Sequence, residues 1–104
     1  MKELYITITH VDLYCGIENI KTGDRITIKK EPENRYDDEA IAAYCQHDLK
    51  CGYVANSVRT VSRGTYSAGR LYDKFDETME CVVMFMIGDT VIARIDDNNY
   101  VVSE

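Results

Sequence analysis

The sequence predicts a mainly β fold of about six short strands, with a helical insertion after the fourth. Three observations predict it. Apolar and polar residues alternate with period two through several segments rich in Ile, Val and Thr. Turn-forming residues separate those segments at short intervals. Between about residues 56 and 75 the character changes to polar and basic, with apolar residues at helical spacing. Many short strands joined by turns suggest a small barrel, although pattern alone does not separate a barrel from a sandwich.

The elements follow in chain order. Lys2 to Thr9 sets Leu4, Ile6 and Ile8 against Tyr5, Thr7 and Thr9, which reads as a half-buried strand. Tyr14-Cys15-Gly16-Ile17 reads as a second short extended piece. Lys21-Thr22-Gly23-Asp24 is a turn, with a glycine available for positive φ. Arg25 to Lys30 alternates again, with Ile26 and Ile28 inward. Glu31 to Asp38 is a polar loop in which Pro32 turns Glu31 away from helix and ends the strand. Ala40 to Cys45 and Lys50 to Val54 form a hairpin about the turn Gln46-His47-Asp48. Asn56 or Ser57 can cap a helix through Val58 and Val61. A second helix is expected from about Thr65 to Phe75, where Leu71 and Phe75 share a face. Met79 to Met86 and Thr90 to Ile95 pair across Gly88-Asp89. Asp96 to Asn99 turns, and Tyr100 to Val102 adds a last short strand.

The chain has 104 residues, enough for one modest core, and shows no linker, repeat or low-complexity stretch. One domain, 1–104, is the expected partition. A 45% hydrophobic and 29% charged composition is that of a folded chain, not a disordered one. The longest apolar run, Cys81 to Ile87, falls short of the roughly 18 residues that a spanning helix needs. Met1-Lys2-Glu3 opens no signal-peptide core, so the cytoplasm is the expected compartment, with no membrane partner.

Four cysteines, Cys15, Cys45, Cys51 and Cys81, could pair, but no secretion signal supports disulfides. Their spacing lacks the tight pairs of a zinc site. Buried thiols acting as small hydrophobes are the expectation, with no metal or cofactor.

A net charge of −6 weighs against generic polyanion binding, but the charge is unevenly spread. Residues 50–75 carry five bases (Lys50, Arg59, Arg63, Arg70 and Lys74) against Asp73, a net +4 between acidic flanks. A solvated helix face is the common reason for such a segment; a local basic patch is the functional one.

Catalysis finds no footing. Neither His10 nor His47 sits in a hydrolase or metalloprotease signature. Asp37-Asp38 and Asp96-Asp97 lie in turns, where aspartate serves the backbone, and the six glycines make no phosphate cradle. The chain is therefore read as a non-enzyme.

Nucleic acid has more to recommend it. Eight tyrosines are many for this length, and Tyr14, Tyr36, Tyr53, Tyr66 and Tyr72 lie near loops or in the basic segment. Tyrosine rings can stack on unpaired bases while cations hold phosphates. For most of these rings a place in the core is the ordinary explanation. Tyr36 resists it, because it lies in a polar loop between Arg35 and Asp37. A carboxylate there repels phosphate but can accept a hydrogen bond from a sugar hydroxyl or base amine.

The segment Glu31-Pro32-Glu33-Asn34-Arg35-Tyr36-Asp37-Asp38-Glu39-Ala40-Ile41, after the turn Gly23-Asp24 and its alternating strand, resembles the core of the HIRAN family. Cys51-Gly52-Tyr53-Val54 resembles that family's Gly-Tyr-Val step. The resemblance runs from about Tyr14 to Val54. It implies a six-stranded modified OB-like barrel with a helical insertion after the fourth strand. It also implies a module that, fused to SNF2-type helicases, captures the 3′ end of single-stranded DNA in fork remodelling and repair. Tyr36 and Asp37 match the family's stacking ring and sugar-hydroxyl acceptor. Tyr14 lies near a second aromatic position, although a shift of one residue would place Cys15 there. Tyr53 matches a position lining the site. Asn56 stands where DNA binders often carry a base, and Arg35 stands where the family often has proline and can add a phosphate contact.

Two functions are carried forward. One is a nucleic-acid-binding module for single-stranded DNA or its 3′ end, using Tyr14, Arg35, Tyr36, Asp37, Tyr53 and Asn56. The other is a protein-interaction or regulatory module that kept the fold without DNA binding, which the −6 charge and Asn56 favour.

Overall fold

The computed structural model describes residues 3–57 and 59–96. Six strands form: β1 (Tyr5–Thr9), β2 (Arg25–Lys30), β3 (Ile41–Cys45), β4 (Leu49–Val54), β5 (Thr78–Ile87) and β6 (Thr90–Ile95). They close into an antiparallel barrel in the order β1-β4-β3-β2-β5-β6, with β6 returning to β1. Closure decides the question that the pattern left open in favour of the barrel over the sandwich.

Alternation explains the barrel interior. Ile6 and Ile8 of β1, Ile26 and Ile28 of β2, Ile41 and Ala43 of β3, and Met79, Cys81 and Val83 of β5 all point into one buried cluster. Val91, Ala93 and Ile95 of β6 complete it. A slip of one residue in any strand would turn its apolar set outward, so these side chains also fix the register.

Thr7 departs from the expected pattern. It belongs to the outward set of β1 yet is fully buried. The segment after β4 lies over it: Thr7 Oγ1 sits 2.7 Å from Thr65 Oγ1 and accepts from Ser62 N at 3.1 Å. The same segment takes up the backbone of β1. Ala55 N donates to Thr7 O and Tyr66 N donates to Tyr5 O, each at 2.8 Å. β1 meets β4 only at Ile8↔Val54 and Thr9↔Tyr53, so the insertion completes the edge that β4 leaves open.

The insertion follows the fourth strand as expected, but it is less helical. Ser57 does begin a turn, accepting Arg59 N on its hydroxyl and both Thr60 N and Val61 N on its carbonyl. The turn does not propagate, so the first expected helix is replaced by successive turns among the described residues. The second is a single turn of α-helix, α1 (Ala68–Leu71), followed by a 3₁₀ turn at Tyr72–Lys74. Ser67 caps α1, accepting Arg70 N. Leu71 and Phe75 are both buried against the barrel, as their spacing anticipates.

The expected extended piece at Tyr14 to Ile17 is not a strand. Two 3₁₀ turns, Val11–Leu13 and Ile17–Asn19, flank it. His10 enters in the left-handed region at φ 65, and Asn19 Nδ2 bonds back to the Cys15 carbonyl. The expected last strand and the turn before it, beyond Asp96, lie outside the described residues. No helix among the described residues is long and apolar enough to cross a membrane.

Gly52 explains the glycine of Cys51-Gly52-Tyr53. A Cβ there would stand 2.5 Å from the Thr9 carbonyl oxygen, which is backbone and cannot swing aside. Gly52→Ala should therefore cost about 1–3 kcal/mol, the range of overpacking, as a lowered urea midpoint at unchanged slope. An unchanged midpoint would show that β1 and β4 separate freely.

Candidate nucleic-acid interface

The loop between β2 and β3 is held by its own residues. Glu31 N donates to Ala40 O at 2.8 Å and closes its base. Pro32 sits at the second position of a turn closed by Asn34 N to Glu31 O at 3.0 Å, a position that its fixed φ suits. The Asn34 side chain then turns the chain: its Oδ1 accepts Tyr36 N at 2.8 Å and Asp37 N at 3.0 Å. Asp37 repeats the device, accepting Glu39 N on Oδ1 at 2.9 Å, and Ala40 N reaches Asp37 O at 3.1 Å. Glu31, Pro32, Asn34, Asp37 and Ala40 thus shape the loop. Tyr36 itself is left 95% exposed.

Asn56 braces this loop against the insertion. Its Nδ2 donates to Asp37 Oδ2 at 3.0 Å, and its Oδ1 accepts Gly69 N from α1 at 2.8 Å. The approach is tight, since a Cβ on Gly69 would stand 2.7 Å from Glu39 Oε1. Asp37 therefore meets Asn56 with one oxygen and the loop backbone with the other. Each oxygen keeps a further lone pair.

Beside the loop, Tyr14 and Tyr53 pack with ring centroids 5.9 Å apart at 55°. Lys50 reaches under them, its Nζ 4.8 Å from the Tyr53 centroid and 5.7 Å from that of Tyr14. It donates to Tyr53 Oη and to Glu31 Oε2, each at 2.9 Å, and Tyr53 Oη donates to Glu31 Oε1 at 2.7 Å. This triangle ties the loop base to β4. Partial burial alone would push the Glu31 carboxyl up. Hydrogen bonds from Lys50, Tyr53 and Asn34 outweigh burial and hold it below the usual glutamate range. Lys50 is raised by Tyr53 first and then by Glu31, against its own desolvation.

An open groove of about 640 Å³ is lined by Leu13, Tyr14, Tyr36, Asp37, Tyr53 and Asn56 among others. Five of the six residues singled out from the sequence (Tyr14, Tyr36, Asp37, Tyr53 and Asn56) line it together. Arg35 does not line it and stands exposed on the same loop. Leu13, His10 and the Lys50–Glu31 pair were not anticipated. The 3₁₀ turn that carries Leu13 beside the groove leaves no periodic trace. Glu31 lay within the recognised motif, but its partner is 19 residues away.

The groove's electrostatics are mixed. Asp37 lines it, and the Lys50 charge is matched by Glu31. A smaller hollow of about 340 Å³ adjoins it through the shared Asn56, and Arg63 and Arg70 line that hollow. Among the described residues neither arginine forms a salt bridge. Arg70 lies 4.4 Å over the Tyr66 ring.

A closed six-stranded barrel carrying an aromatic groove on one flank defines a small OB-like binding module. A family model, the HIRAN domain, matches residues 1–93, and the chain belongs to the HIRAN family, in general a family of DNA-binding modules. The crystal structure of the HIRAN domain of human HLTF is similar, with TM-score 0.65 and 18% identity. That match covers 89% of this chain and 72% of the other, a likeness of fold. No curated protein matches the chain.

The Glu31–Lys50 pair sets a pH dependence. Glu31 is held low, so its contribution is full above the unfolded value of about 4.3 and is lost as pH falls through the lower folded value. Lys50 is held high, so its contribution is full below about 10.4 and is lost as pH rises beyond that. Glu31→Gln should lower stability near neutrality by about 1 kcal/mol and flatten part of the acid limb of urea midpoint against pH. An acid limb identical to that of the parent would remove this triangle from the account.

Proposed function

We propose that the groove binds the end of a single DNA strand. The terminal base stacks on Tyr36, and the packed rings of Tyr14 and Tyr53 line the same groove. Asp37 accepts a hydrogen bond from the terminal 3′ hydroxyl through the lone pairs that the loop backbone and Asn56 leave unused. The strand's phosphates lead away past Asn56 toward Arg63 and Arg70, with Arg35 available from the loop. The observation that carries this reading is Tyr36: a residue 95% exposed on a loop that its own hydrogen bonds hold in shape. Such a ring has no role in the core, and it stands at the rim of a groove lined by two more.

Affinity is modest, because the groove's own cation is matched and the chain carries −6. It falls further with salt as phosphate contacts lose their counterion advantage. The mixed charge of the groove also supports a second reading, a protein partner on the same surface. Oligonucleotide titration separates the two.

A short single-stranded oligonucleotide titrated by fluorescence anisotropy should bind, and Tyr36→Ala should weaken it by about 1–3 kcal/mol, the worth of one stacked base. Replacing the 3′ hydroxyl by a phosphate should weaken the parent and have little effect in Asp37→Asn. Equal affinity for free and blocked ends would sink end capture. The absence of any oligonucleotide binding, with a protein partner that competes for the Tyr36 face, would favour the second reading.

A further inference from the structure

Cys15, Cys45 and Cys51 come from three separate places: the bend between the first two 3₁₀ turns, the end of β3, and the middle of β4. The fold brings their Sγ atoms within 4.8 Å of one another. Cys51 is buried, while Cys15 and Cys45 are half-buried, and all three are free thiols. One side of the trio therefore rests on the core and the other is reachable from solvent. Cys81 is the contrasting case. It is fully buried, is not among the three sulfurs within 4.8 Å of one another, and its thiol donates to the Ile26 carbonyl at 3.3 Å, as a structural cysteine does.

We propose that Cys15, Cys45 and Cys51 form a binding site for a thiophilic metal ion, with Zn²⁺ the first-row ion that it suits. Three thiolates and one solvent-derived donor make a tetrahedron, and no ligand-field preference of Zn²⁺ opposes that shape. Zn–S bonds of about 2.3 Å place tetrahedral sulfurs about 3.8 Å apart, so the trio contracts by no more than about 1 Å, within reach of side-chain rotation. Each thiol gives up its proton as its sulfur binds, so three protons leave for each ion taken up. Burial, and then the neighbouring Cys45, push the Cys15 and Cys51 thiols up, toward the protonated form. A dication reverses that balance.

The position of the site gives it consequence. Cys15 directly follows Tyr14, and Cys51 lies two residues before Tyr53. An ion here fastens the segment that carries Tyr14 to the strand that carries Tyr53. The site does not depend on what the groove binds, and its test is independent of DNA.

The full chain, reduced with a non-chelating phosphine, is titrated with Zn²⁺ against a chromophoric chelator while released protons are counted. A single equivalent should bind with proton release, and Cd²⁺ should give thiolate-to-metal charge-transfer absorption. The double variant Cys15→Ser/Cys45→Ser changes only half-buried positions, and far-UV circular dichroism checks that it folds. It should lose affinity by more than about a hundredfold, beyond what outer-shell changes cost. Cys81→Ser should bind as the parent does. No uptake by the reduced parent, or uptake unchanged in the folded double variant, would overturn the site. So would a Cys15–Cys45 disulfide forming in air as the trio's sole chemistry.

Discussion

Closing the barrel obliges β1 to satisfy two neighbours at once. On one side it pairs with β6 from Tyr5 to Ile8; on the other β4 reaches only its last two residues. The rest of that edge would leave backbone carbonyls unbonded beside a buried core, which is costly. The insertion answers this by donating Ala55 N and Tyr66 N to β1 and by covering Thr7. Once the insertion is committed to that edge, α1 lies where Gly69 can meet Asn56, and Asn56 can hold the Asp37 loop. The groove stands where it does because the barrel had an edge to close.

The loop itself shows how few residues can determine a shape. Asn34 bonds two successive backbone amides with one oxygen, Asp37 takes a third amide, and Glu31 ties the base to Lys50 and Tyr53. Short polar side chains serve here because they reach their own backbone a few residues on. A pattern that looks like a string of ligand-binding residues is mostly a scaffold, and the scaffold singles out one ring.

What was legible in the sequence followed from period. Ile26 and Ile28, or Met79, Cys81 and Val83, announce strands because one face of each is buried, and a face leaves a rhythm. Thr7 was misread because a segment about 50 residues later covers its face, which no local rhythm encodes. Cys15 was misread because His10 takes a left-handed backbone that its residue type does not announce. Ser57 carried a true helix-start signal, but Thr60, Ser62 and Gly64 offer no apolar stripe to extend it. Within the site, Tyr36 was legible as an aromatic ring stranded among polar residues. The rest of the groove was legible only in part, because Leu13 is brought to it by turns without periodicity. The cysteine trio was illegible for the same reason as Thr7: its members meet only after the barrel closes.

The bonded loop beneath Tyr36 also bears on the thermodynamics of recognition. A flexible binding loop must be ordered when its ligand arrives, and that conformational entropy is subtracted from the affinity. Here six amides between Glu31 and Ala40 are already bonded within the loop, so most of the ordering is completed during folding. A ligand stacking on Tyr36 restricts little more than two side-chain torsions. Association on this face should accordingly carry a small entropic penalty and leave the surrounding backbone where it was.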